Sequence, residues 1–150
     1  MTPFKNLFFF VLCFWLLPNV TRAQYISVND TYSAQRLVED VLINSPCANV
    51  SNFSVSGHTF GSNQSYGYFS ANGSSFPFAD GIILSTGRAV SAVGPNNRLL
   101  SEGTDAWFGD TDLELALDIR GSSINATVLE FDFMPFSSNI SFDYIFSSEQ

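Results

Sequence analysis

The chain has 150 residues, of which 45% are apolar, 15% aromatic and 13% charged, a balance that suits one modest folded domain and excludes an intrinsically disordered segment. Six basic residues stand against fourteen acidic ones, a net charge of −8, which excludes an electrostatic grip on nucleic-acid phosphates. Sixteen phenylalanines lie among stretches crowded with Ser, Asn and Gly, the composition of strands and turns.

Met1 to Ala23 reads as a secretory signal: Lys5 gives the positive start, Leu7 to Leu17 the apolar core, and Thr21-Arg22-Ala23 small residues at −3 and −1. The core is about eleven residues, short of the ~20 that span a bilayer, so no transmembrane segment is retained after cleavage near Ala23. Cleavage leaves Arg36, Arg88, Arg98 and Arg120 against fourteen acids, hence a net charge of −10, and no lysine at all. Such a surface repels anionic lipid and favours divalent cations or basic partners. Cys47 is the one cysteine that remains, so this chain forms no internal disulfide.

Residues 24–150 then read as one domain. Leu37, Val38, Val41 and Leu42 recur at helical spacing, with Arg36, Glu39 and Asp40 opposite; Ser33 is the predicted N-cap and Asn44-Ser45-Pro46 the stop. Val50, Phe53 and Val55 predict a half-covered strand ended by Gly57. From Gly57 to Asp80 the mixture of Gly, Ser and Asn with Tyr66, Tyr68, Phe69, Phe76 and Phe78 predicts short strands and surface loops. Ile82-Ile83-Leu84, between Gly81 and Gly87, reads as a buried strand, and Arg88 to Asp110 as a long loop.

Leu129, Phe131 and Phe133 alternate with Glu130 and Asp132; after a turn at Pro135 to Ser138, Ile140, Phe142, Tyr144 and Phe146 alternate with Ser141 and Asp143. The pattern predicts an antiparallel hairpin with one aromatic face, which a second sheet has to cover. The expected fold is therefore all-β, an antiparallel, jelly-roll-like β-sandwich with one short N-terminal helix.

Six fragments in order carry a family resemblance: Leu37-Val38-Glu39-Asp40-Val41-Leu42, Asp80-Gly81-Ile82-Ile83-Leu84-Ser85-Thr86-Gly87, Gly94-Pro95-Asn96-Asn97, Gly109-Asp110-Thr111-Asp112-Leu113, Val128-Leu129-Glu130-Phe131-Asp132-Phe133-Met134-Pro135, and Ile140-Ser141-Phe142-Asp143-Tyr144-Ile145-Phe146-Ser147-Ser148-Glu149. Together they resemble the choice-of-anchor L domain, a family of exported bacterial proteins found especially among Bacteroidetes. The resemblance implies a module without known catalytic activity, followed in its relatives by varied C-terminal anchoring or sorting signals. In the family an acid and an aromatic follow the position of Glu149, whereas Gln150 stands here, so the resemblance implies a C-terminally incomplete domain. The expected consequence is exposed strand edges and exposed apolar surface.

Candidate chemistry concentrates in two places. Asp105, Asp110, Asp112 and Glu114 gather four carboxylates beside Gly103 and Gly109, oxygen ligands of the kind that calcium takes. If Asp110 or Asp112 instead caps a short helix through Leu117, the same acids are first-turn residues. Glu130, Asp132 and Asp143 could meet across the predicted hairpin as a hydrolytic carboxylate set, although alternating strands produce such acidic rows without any chemistry. His58 is the single histidine, expected in an exposed loop, and offers little for nucleophilic or zinc chemistry.

Tyr66, Tyr68, Trp107 and Phe108 are candidate stacking surfaces for a sugar or protein, with Trp107 the best placed; core filling is the alternative. Seven N-x-S/T sequons, at Asn29, Asn49, Asn52, Asn63, Asn72, Asn125 and Asn139, match an Asn- and Ser-rich surface. The reading that results is a non-catalytic exported module that binds extracellular glycan or protein, with calcium as its one candidate ion. An extracellular hydrolase and a structural spacer are the alternatives.

Overall fold

The computed structural model describes residues 25–44, 46 and 48–148. The signal at residues 1–23, the cysteine Cys47, and the terminal pair Glu149 and Gln150 lie outside the described residues. The fold is all-β. Among the described residues, seven strands, β1 (Ser27–Asn29), β2 (Ala48–Ser56), β3 (Thr59–Phe60), β4 (Asn63–Gln64), β5 (Tyr66–Ser70), β6 (Asp80–Leu84) and β7 (Val128–Pro135), form sheets of order β1-β5-β6, β2-β7 and β3-β4. Every strand pair is antiparallel.

The predicted helix forms where its pattern starts. Ser33 caps it, the hydroxyl accepting from Arg36 N at 3.2 Å, and one α-turn (α1, Ala34–Arg36) runs directly into a π-helical turn over Leu37–Leu42. Leu37 and Val38 are fully buried, while Arg36, Glu39 and Asp40 stay in solvent. Arg36 also fastens the helix to the sheet. Its guanidinium lies 3.8 Å from the centre of the Tyr32 ring, and Tyr32 stacks on Tyr68 of β5 at 5.1 Å.

β5 separates two surfaces by simple alternation. Gly67 and Phe69 are buried, and Tyr66, Tyr68 and Ser70 are half-buried. Phe69 lies opposite Gly81 of β6, where a Cβ would stand 2.8 Å from the phenyl ring, so only glycine leaves that ring its place. The strand Ile82-Ile83-Leu84 forms as predicted but is less enclosed: it is the sheet's edge, and Leu84 is 44% exposed. Within the long segment after it, one 3-10 helix (Ala89–Val93) forms, and Ala89 is fully buried.

β2 and β7 show why Asn52 is where it is. The register steps from Ser51↔Asp132 to Ser54↔Glu130, so β2 carries one residue more than β7 over that interval, a β-bulge. Asn52 occupies it with φ 55°, a left-handed conformation that asparagine tolerates better than most residues. Its side-chain amide donates to Asp132, and Ser54 Oγ donates to Glu130 Oε2 at 3.3 Å.

The predicted C-terminal hairpin is corrected. β7 forms, but its partner is β2, and residues 140–146 adopt no regular structure. Charge supplies a reason. Any register that lays Ile140, Phe142 and Tyr144 on the Phe131 and Phe133 face through a four-residue turn sets Asp143 opposite Asp132 or Glu130, and like charges directly across a ladder are destabilising. Phe136, Ile140, Phe142, Tyr144 and Phe146 are consequently 52% to 85% exposed, the apolar surface that the sequence leads one to expect.

A buried hydroxyl joins these parts. Ser65, fully buried between β4 and β5, has its Oγ 3.0 Å from His58 N and 2.8 Å from Thr127 Oγ1, and Thr127 Oγ1 lies 2.7 Å from the Ser85 carbonyl. A hydroxyl has one proton, so the order is forced: His58 N–H to Ser65, Ser65 O–H to Thr127, Thr127 O–H to Ser85. Gly57 passes so close that a Cβ would collide with Ser65 Oγ. Ser65→Ala strands the His58 amide and is expected to cost about 1–3 kcal/mol. Urea unfolding monitored by tryptophan fluorescence measures it, and an unchanged midpoint would mean that the chain of hydroxyls carries no stability.

Candidate functional site

The segment from Glu102 to Thr127 holds the four acids of the candidate ion site together with Trp107 and Phe108. It is built on Trp107, which is 7% exposed. Its indole N–H donates to the Ala126 carbonyl at 2.8 Å, its ring stacks against His58 at 5.2 Å, and Phe60 meets it edge-on at 5.9 Å. His58 is therefore half-buried in an aromatic trio, not exposed in a loop as the sequence suggested. Trp107, the preferred stacking surface of the sequence reading, is turned inward for a physical reason: its N–H needs an acceptor, and Ala126 supplies one inside.

The next residue goes the other way. Phe108 pairs with Ile124 in an isolated antiparallel bridge, and both are exposed, at 81% and 52%. Alternation along an extended chain permits only one of Trp107 and Phe108 to face the core, a signal already present in the sequence. Asn125 holds the turn beneath them at φ 60°, with Oδ1 accepting from Thr104 N at 2.9 Å.

The four acids separate into different duties. Asp110 N-caps the helix α2 (Thr111–Ala116), its carboxylate accepting from Leu113 N at 2.7 Å, and the helix closes at Leu117. Glu114 Oε1 accepts from the backbone N–H of Ser123 at 2.5 Å and from its hydroxyl at 2.7 Å. Ser123 Oγ also accepts from Asp110 N at 3.0 Å, and it sits so near Gly109 that a Cβ there would collide with it. Asp112 is an exposed first-turn residue and Asp105 an exposed turn residue. Among the described residues, no group of three or more His, Cys, Asp or Glu side chains is arranged to hold a metal ion.

α2 itself is unusual, because its leucines alternate as in a strand. Leu113, Leu115, Leu117 and Ile119 are all exposed, from 42% to 81%. A groove lined by Thr111, Glu114, Leu115, Asp118 and Ile119 runs beside them. Phe108, Ile124 and these residues give the segment an apolar outer surface with acids interspersed.

Glu130 and Asp132 share the exposed face of β7, engaged by Ser54 and Asn52 of β2; Asp143 lies in the irregular segment, so no ladder brings the three together. Tyr68 is covered on one face by Tyr32.

A family model, the choice-of-anchor L domain, matches residues 26–150. The chain belongs to the choice-of-anchor L family. Membership marks it as an extracellular surface module, and no helix among the described residues is long and apolar enough to cross a membrane. No curated protein and no solved structure gives a significant match. Within the choice-of-anchor L domain, the sequence pattern offered Asp110 or Asp112 as a helix cap, of which Asp110 is the one, but missed Ser65, Ser123 and Thr127, whose roles rest on contacts with distant residues that no local motif records.

One ion pair braces the loop that leads into this segment. Glu102 accepts from Arg88 Nε at 2.9 Å, Arg88 N at 2.8 Å and Ser91 Oγ at 2.8 Å. Burial alone would push the Glu102 carboxyl up, but these hydrogen bonds and the guanidinium charge hold it below the usual carboxylate range. A lowered folded value contributes stability above the ordinary carboxylate range and loses it as pH falls through the lowered value. Glu102→Gln is therefore expected to lower the melting midpoint at pH 7, with the gap from wild type closing in acid; a pH series of thermal melts checks it. Asp110→Ala is expected to cost about 1 kcal/mol and Asp112→Ala under half of that, compared by urea titration.

Proposed function

We propose that this choice-of-anchor L protein is an exported, non-catalytic module that binds an extracellular glycan or protein at the cell surface, after signal cleavage near Ala23. The observation that carries this reading is the family match over residues 26–150. The outward ledge of Phe108 and Ile124 beside the α2 leucines supports it, since an exposed aromatic among aliphatic neighbours suits stacking on a sugar face or packing against a protein. Against a hydrolase, the β7 acids are engaged by their neighbours on β2, and Asp143 is not laddered beside them.

The test is a panel of extracellular glycans and matrix proteins, scored for both binding and product. Binding without product is expected, and Phe108→Ala is expected to weaken it about tenfold, or 1.4 kcal/mol, with the melting midpoint unchanged. Product release that disappears in Glu130→Gln or Asp132→Asn would instead make the protein a hydrolase. Absence of any ligand would leave a structural spacer.

Calcium enters through the same segment. Because Asp110 and Glu114 already serve backbone and hydroxyl donors, the acidic segment holds its shape by its own hydrogen bonds in this reading. Equal melting midpoints with calcium and with chelator are expected. A calcium-dependent rise, lost in Asp110→Asn/Asp112→Asn, would restore the ion by linkage.

A further inference from the structure

Signal cleavage after Ala23 makes Gln24 the first residue of the exported chain. A glutamine in that place carries two groups that react with each other: the α-amine and, on its own side chain, an amide carbon at the distance that closes a five-membered ring. Both belong to one residue, so no part of the fold has to bring them together, and an attack of this kind has a large effective molarity. A free α-amine titrates ordinarily at about 7.7–8.0, so a fraction of it is uncharged and nucleophilic at neutral pH.

Gln24 lies outside the described residues, but its neighbour does not. Tyr25 is 43% exposed and irregular, two residues ahead of β1, so the point at which the chain end joins the fold is a surface position. Tyr25 also lines a groove with Phe76, Pro77, Ala92 and Val93. Among the described residues no carboxylate lines it, although residues 24–150 hold all fourteen acids of the chain. The groove therefore offers an ammonium no ion pair, and it favours an uncharged end.

The rest of the chain makes this end singular. Residues 24–150 contain four arginines and no lysine, so the α-amine of Gln24 is the one primary amine among them. We propose that Gln24 cyclises to pyroglutamate after signal cleavage and leaves residues 24–150 without an amine. The α-nitrogen lone pair forms a bond to the side-chain carbon Cδ, the Cδ–Nε2 bond breaks, and Nε2 takes a proton from the α-nitrogen and leaves as ammonia. The product is a neutral lactam, and the step consumes no oxidant, reductant or co-reactant. The cyclised end gives an aminopeptidase no α-ammonium to hold. Residues 24–150 then offer nothing to compounds that condense with amines, reducing sugars among them.

The proposal rests on the reading of an exported, cleaved chain, and the experiment separates the two. The protein is expressed in a bacterium with its own signal, recovered from the exported fraction and held for several days at neutral pH. It is then denatured, reductively dimethylated with deuterated formaldehyde and cleaved after arginine, and the peptide ending at Arg36 is sequenced by tandem mass spectrometry. Labelling comes first because a dimethylated amine no longer forms the lactam during digestion. The expected peptide spans residues 24–36, is lighter than its sequence by one ammonia and carries no label. Gln24→Ala, exported alike, is expected to carry the label on its α-amine. A labelled, uncyclised Gln24 overturns the proposal and leaves cleavage after Ala23 standing. A peptide that begins at another residue overturns that cleavage site, and the proposal with it. A Gln24→Ala chain whose end is equally blocked overturns the lactam as the cause.

Discussion

The interaction on which the rest of this structure depends is the buried hydroxyl chain from His58 through Ser65 and Thr127 to Ser85. It joins two sheets that no ladder links, meeting the paired end of β2 and start of β7 on one side and the paired start of β5 and end of β6 on the other. Each group has one donor and its acceptor, so the chain tolerates no missing member without leaving a buried polar atom unpaired. Among the described residues, every buried side-chain nitrogen and oxygen has a partner. With so few fully buried apolar side chains to hold the sheets, Leu37 and Val38 foremost, specificity of this polar kind matters more than it would around a large core.

What was legible in the sequence was local. Ser33 and Asp110 cap helices because a capping side chain reaches an amide three residues on, a relation that the sequence spells out directly. β2, β6 and β7 were legible from alternation and β-branched runs, and the family from fragments in fixed order. What was not legible was which partner each strand takes. A hairpin after β7 is the nearest solution by chain length, yet β2 takes the pairing from a distance, helped by a bulge at Asn52 that local pattern does not reveal. The same limit applied at Trp107 and Phe108. Their sequence neighbourhood is equally polar, and only the acceptor at Ala126 decides which ring is inside.

The asparagines serve the backbone. Of the seven sequon positions, Asn52, Asn72 and Asn125 occupy positive-φ positions at 55°, 51° and 60°, and four sequon side chains are engaged. Asn29 accepts from Thr31, Asn52 donates to Asp132, Asn63 donates to Asp30, and Asn125 receives Thr104 N. Asparagine is used here chiefly as a turn and bulge residue, with a short amide that doubles as a local clamp.

The pairing of β2 with β7 also sets a clock on the making of this protein. Asn52 and Asp132, which hydrogen-bond across it, are 80 residues apart in the chain. At roughly 5–20 residues per second of synthesis, β2 exists for about 4–16 seconds before the residues that complete its ladder have been made. During that interval Val50, Phe53 and Val55 have no strand to shelter behind, and the long loop must close before any contact rewards it. A chain of this topology reaches its native sheet late, and in the meantime relies on remaining unpaired, a condition that its scarcity of positive charge and surplus of carboxylates helps to maintain by mutual repulsion.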